Sequence, residues 1–209
     1  MDCIRNTQRG SKASARQRGY IEEALVALES SASGSAIDWD LLPGTWNVIY
    51  TTARDVRDVV RDNPLPFVKS TVVGQRFSSV EEGRVTNIIT LEVVNAPILE
   101  GTSISIHVDA DFVVAAPKSI GLRFKSAAIG FVEPSESLQS IILSAMLPRG
   151  YWNLQVIAAL RDFEIKYAFN SSSSSRIRPS LDITFLSQNL FVGRAQQGGG
   201  IYCYQRWTG

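Results

Sequence analysis

The sequence predicts a mainly-β protein, an antiparallel β-barrel with an N-terminal α-helix, on three observations. Near the start, Ile21, Leu25 and Leu28 recur at helical spacing, with Glu22, Glu23 and Glu29 pointing elsewhere. Further on, apolar and polar residues alternate with period two in segment after segment, most clearly from Ser103 to Ala115. Between them lies Gly44-Thr45-Trp46, where a glycine lets the chain swing sharply and a wide apolar ring follows to close one end of a barrel interior. One helix followed by many short antiparallel strands favours closure, because a barrel leaves no unpaired edges.

In order along the chain, Ser14 to Glu29 reads as the helix, and the small polar run Ser30 to Ser35 stops it. Residues 1–35 are thus expected as a helical segment packing on the barrel of residues 36–209, the two forming a single domain. From Trp46, alternation predicts Trp46, Val48 and Tyr50 on one face and Asn47, Ile49 and Thr51 on the other. Asp55 to Asn63 suits a short helix, ended by Asn63-Pro64-Leu65-Pro66. After Gly83 a strand puts Val85, Ile89, Leu91 and Val93 on one side. In 103–115, Ile104, Ile106, Val108, Ala110, Phe112 and Val114 alternate with Ser103, Ser105, His107, Asp109 and Asp111, the pattern of one dry and one wet face. Residues 121–125 follow, with Ile120, Leu122 and Phe124 opposite Arg123 and Lys125. Residues 137–147 fit a strand or a short helix equally. Further strands are expected at 164–169, 180–186, 189–194 and 201–207, with a serine-rich loop at 170–175 and a tight turn at Gly198 to Gly200.

Composition narrows the function. A chain of 209 residues buries roughly 70% of its unfolded surface and needs no covalent staple. A formal charge of +1 removes the global attraction to polyanions on which nucleic-acid binders rely, so no nucleic-acid partner is expected. Cys3 and Cys203 stand at opposite ends with no metal-ligand spacing, and are expected as two reduced thiols. No apolar run reaches the roughly 20 residues that span a bilayer as a helix, so membrane contact is expected to be peripheral. Arg5, Arg9, Lys12, Arg16 and Arg18 face a single acid, Asp2, in the first residues. That composition fits the remnant of an organelle transit peptide or the basic part of a domain helix.

Catalytic chemistry is sparse. His107 is the only histidine and lies on the wet face of its strand, so a Ser-His-Asp triad would rest on it alone and a His-rich metal site is excluded. The run Gly198 to Gly200 has no Gly-Lys-Ser/Thr after it and is no phosphate loop. No catalytic residue, metal ligand or cofactor is assigned, and the residues favour binding over catalysis. An enzyme would need His107 and a neighbouring carboxylate to converge in a cavity. The residues expected to face inward, and so to line a pocket or fill a core, are Trp46, Val48, Tyr50, Leu91, Val93, Ile104, Ile106, Val108, Phe112, Leu122 and Phe124. Leu65, Phe67, Leu147, Tyr151 and Trp152 sit beside prolines and Arg149, a composition suited either to dipping into a headgroup layer or to capping the barrel.

Three separated blocks resemble the plastid-lipid-associated protein family, the plastid fibrillins. The first is Asn6-Thr7-Gln8-Arg9-Gly10 with Ile21-Glu22-Glu23-Ala24-Leu25 and Leu28-Glu29, similar to the family's leading helical segment, which favours the domain-helix reading of the basic start. The second, Leu42 to Thr52, is similar to its opening strand, and the third, Asp182 to Leu186, Leu190 to Arg194 and Gly198 to Gln205, resembles its closing hairpin. Ser187-Gln188-Asn189 stands where the family usually has an acidic pair, and Ala195 where it tends to have glycine, so this is a divergent sequence. The resemblance implies a lipocalin-like barrel in plastids, at plastoglobules or thylakoids. It implies a noncatalytic role in holding or organising prenylquinones, carotenoids or fatty acids. The alternative is a structural protein with a filled barrel that coats lipid droplets or scaffolds an isoprenoid-synthesis enzyme, and so has a protein partner. In such barrels a late arginine often stacks on the Gly-x-Trp tryptophan, and Arg206 is expected in that place ahead of Arg194 because the last strand closes beside the first.

Overall fold

A computed structural model describes residues 4, 6–53, 68–94, 99–136, 164–168, 180–196 and 199–208. Among these, helix α1 (Ala15–Ser31) precedes nine strands: β1 (Gly44–Thr51), β2 (Val68–Phe77), β3 (Arg84–Val93), β4 (Ser103–Ala116), β5 (Ser119–Glu133), β6 (Glu164–Ala168), β7 (Ser180–Leu186), β8 (Leu190–Ala195) and β9 (Ile201–Arg206). Every pairing is antiparallel. The order β4-β3-β2-β1-β9-β8-β7-β5, with β4 also pairing β5, closes a barrel of eight strands, and β6 lies outside the ring on β5. The barrel and the N-terminal helix are as the sequence predicts.

The ring is lopsided. Strands β7, β8, β9 and β1 have 7, 6, 6 and 8 residues, whereas β2, β3, β4 and β5 have 10, 10, 14 and 15. Pairing of β1 with β2 stops at Asn47 and Gly74, and pairing of β5 with β7 covers only Ser119 to Gly121. The long strands therefore rise past the short ones as an overhang, which β6 extends by pairing Ser126 to Gly130. At the β1–β2 split, Arg9 laces the wall: its carbonyl accepts from the Thr51 amide at 3.1 Å and its guanidinium donates to the Thr71 carbonyl at 2.6 Å.

Helix α1 begins on a capping box, Ser14 and Gln17 each bonding the other's backbone amide. It buries Ile21 and Leu25 against Tyr50, Val192 and Cys203 on the outer face of the short strands. Glu29 fixes its far end, accepting two hydrogen bonds from Arg194 at 2.7 and 2.6 Å and one from the Thr184 hydroxyl at 2.6 Å. The Arg194 hydrogen bonds hold the Glu29 carboxyl below its ordinary range, against the opposing effect of burial.

Two sequence expectations change, and one strand the sequence reading does not name is present. Tyr50 does not share the face of Trp46 and Val48, because a bulge at Ile49 shifts the register from Val48–Tyr204 to Tyr50–Cys203 and turns its ring outward beneath the helix. Strand β2 carries no clear alternation in the sequence, since a bulge at Thr71 breaks its phase and Gln75 stands on its inner face between Val73 and Phe77. Strand β5 runs to Glu133 rather than ending at Lys125, its apolar phase reset by a bulge at Lys125. The expectations at 55–63, 137–147 and 170–175, and the residues Leu65, Phe67, Leu147, Tyr151 and Trp152, lie outside the described residues.

Candidate functional site

One end of the barrel is plugged. Trp46 is fully buried, its ring edge-to-face with Phe191 at 5.5 Å, and Phe191 stacks on Tyr204 at 4.4 Å. Phe77 and Phe112 meet edge-to-face at 5.5 Å beside them, and Ile120 and Ile183 complete the packing. The Trp46 indole donates to the Leu42 carbonyl at 2.8 Å. The Arg206 guanidinium lies over the indole, 4.1 Å from its centroid, and donates to the carbonyls of Leu41 (2.5 Å), Pro43 (2.8 Å) and Gln188. That is the stacking expected for Arg206, whereas Arg194 serves the helix. Gly44 sits at φ +126, and a Cβ there would collide with the Arg206 guanidinium, so both conformation and space require glycine.

The other half of the interior is open. A cavity of about 460 Å³ begins where the aromatic plug ends, walled by Val48, Val73, Ile89, Val108, Leu122, Phe124 and Leu181, with Tyr202 and Tyr204 on the short-strand side. Among the described residues no charged side chain lines it. Its polar groups are Ser180, the two tyrosines and the amide pair Gln75 and Asn87. The Asn87 amide nitrogen donates to the Val108 carbonyl at 3.3 Å, and the Gln75 amide nitrogen donates to Asn87 Oδ1 at 2.6 Å. A backbone carbonyl can only accept, so this chain fixes both amides and leaves Gln75 Oε1 shielded with no partner among the described residues. A larger hollow of about 650 Å³ lies by the β2–β3 turn, beside Glu81, Glu82, Asp111 and Arg123. Its charged rim suits water better than an apolar ligand.

Of the residues expected to line a pocket, Val48, Val108, Leu122 and Phe124 reach the cavity, Phe124 being 41% exposed at its edge. Trp46, Phe112 and Arg206 belong to the plug. Leu91, Val93, Ile104 and Ile106 stand on the overhang, in register rows that continue the inner face upward. Val73, Gln75, Asn87, Leu181, Tyr202 and Tyr204 were not among the expected residues. The signal for the amide pair was an inward polar position interrupting two apolar rows, Val73–Phe77 and Val85–Ile89. His107 faces Ile88 and Ala128 across its neighbours, with Val108 as the cavity-facing residue beside it. Among the described residues no cluster of side chains is arranged to hold a metal ion, and no helix is long and apolar enough to cross a membrane.

The PAP_fibrillin family model matches residues 1–201. A probable plastid-lipid-associated protein 10, chloroplastic, of Arabidopsis thaliana is 30% identical over 98% of this chain and 74% of its own length. The light-induced protein, chloroplastic, of Solanum tuberosum is 32% identical over 66% of this chain, and plastoglobulin-1, chloroplastic, of Pisum sativum 28% identical over 68%. The chain spans 40% and 38% of the length of these two relatives.

Proposed function

Because the chain belongs to the PAP_fibrillin family, we propose that it is a noncatalytic lipid-binding protein of plastids that holds one hydrophobic small molecule in the open half of its barrel. The observation that carries this reading is the cavity of about 460 Å³, apolar on most sides, uncharged among the described residues, and supplied with an amide pair. Ligand sites commonly have that make-up, apolar walls with a few polar groups that set orientation. An ionised carboxylate would be stranded there without a counter-charge. Prenylquinones and carotenoids therefore suit the site better than ionised fatty acids. The plug at Trp46 closes the opposite end, so the ligand enters from the overhang side.

The protein resides in the plastid, at plastoglobules, as its chloroplastic, lipid-associated and plastoglobulin-named relatives support. Leu65, Phe67, Leu147, Tyr151 and Trp152 have the composition of segments that dip into a headgroup layer, which supports peripheral association with the plastoglobule surface. The test is incubation of the protein with a plastid lipid extract, gel filtration, and mass spectrometry of the retained lipid. One stoichiometric uncharged lipid class is the expected result. A folded protein that retains none would overturn the internal-ligand reading and favour a surface role with a protein partner.

A further inference from the structure

Resting on the reading of the cavity as a lipid site, we infer that the bound molecule is longer than the cavity, and that its tail lies on the overhang along Phe124, Ile129 and Ile165. The inner face of β5 passes from Leu122 and Phe124 at the cavity, across the bulge at Lys125, to Ala127 and Ile129. At the level of Ile129, residues in direct register form one apolar row across five strands: Val73, Ile89, Ile106, Ile129 and Ile165. The row begins in the core, with Val73 6% exposed, and ends with Ile129 at 48% and Ile165 at 58%. The charges of this sheet are turned the other way, Arg123 and Lys125 both pairing with Asp111 at 2.7 Å.

Phe124 joins the two regions, lining the cavity and 41% exposed at its edge. An apolar strip continuous with a cavity is suited to a hydrocarbon chain that starts inside and runs out. A row built of Val73, Ile89, Ile106, Ile129 and Ile165, with no cation along it among the described residues, selects an acyl or isoprenoid tail over an acidic peptide or headgroup.

The test is calorimetric titration of the full chain with prenyl alcohols of rising length, from geraniol through farnesol to solanesol. A ligand confined to about 460 Å³ gains nothing once the cavity is full. A tail laid on the strip gains up to about fourfold in affinity for each further methylene it buries. Affinity is expected to keep rising beyond farnesol. In the Ile129→Ser/Ile165→Ser variant that gain is expected to vanish while farnesol binds as before, and these exposed positions leave the fold intact. Ile129→Ser alone gives the same comparison with β6 untouched. A wild-type affinity that is flat beyond farnesol, or a long-chain gain that survives in both variants, overturns the inference and leaves the cavity reading standing. Failure of every prenyl alcohol to bind overturns both.

Discussion

Arg206→Ala is expected to loosen the plugged end of the barrel, and the structure gives the size of the effect. The side chain does two jobs at once. Its guanidinium stacks 4.1 Å from the Trp46 centroid, worth roughly 1 kcal/mol at a partly desolvated site. It also donates to the carbonyls of Leu41, Pro43 and Gln188. Those acceptors are partly wet once uncovered, so their loss is taken as roughly 2 kcal/mol in total rather than the full value of three charged hydrogen bonds. The sum, about 3 kcal/mol, should lower Tm by about 6–12 °C in a chain of this length, with a lower urea midpoint and an unchanged m-value. Arg206→Lys keeps the charge but loses the planar fork, and should fall between the two. A double-mutant cycle with Trp46→Leu isolates the stacking. An Arg206→Ala protein within about 0.5 kcal/mol of wild type would refute the assignment of this residue as the strut that ties the last strand to the chain before the first.

Other outcomes follow from the same coordinates. Gly44→Ala should destabilise by about 1–3 kcal/mol in urea melts, since φ +126 and the Arg206 guanidinium both oppose a side chain. Glu29 has a folded pKa held below its ordinary 4.5, chiefly by the Arg194 hydrogen bonds, so its contribution is present above that value and is lost as pH falls through the folded one. The gap in urea midpoint between wild type and Glu29→Gln should accordingly be constant from neutral pH down and shrink in the acid limb; a gap that grows with acid would contradict it. Ser14→Ala should cost about 1 kcal/mol by opening the capping box, read as reduced thermal stability.

The barrel and its plug were legible because their signals are local or topological. Gly44 and Trp46 announce the opening strand within three residues, and the pairing of the last strand with the first brings Arg206 to the indole through Trp46–Arg206 register. The misplaced strand faces share one cause, the irregular pleat. Single-residue bulges at Ile49, Thr71 and Lys125 each reverse which face the following residues occupy. Alternation counted through Ile49 put Tyr50 inside, and the bulge at Thr71 leaves β2, a strand the sequence reading does not name, without an unbroken alternation. The cavity was illegible for a different reason: Gln75 and Asn87 are inward and polar, so a rule that equates inward with apolar passes over the residues that distinguish a site from a core.

The closing pair of strands also sets a timetable. β1 meets β9 across 160 positions of chain (Trp46 against Arg206), and α1 rests on Val192 and Cys203. In the folding chain, the contact of Trp46 with Phe191 and the seating of α1 on Val192 and Cys203 wait for these distant segments to meet. Contacts this distant in sequence make for slow folding with apolar surface waiting uncovered. Ring closure is thus expected to be the late and slow event of folding, read as a slow refolding phase that buries Trp46.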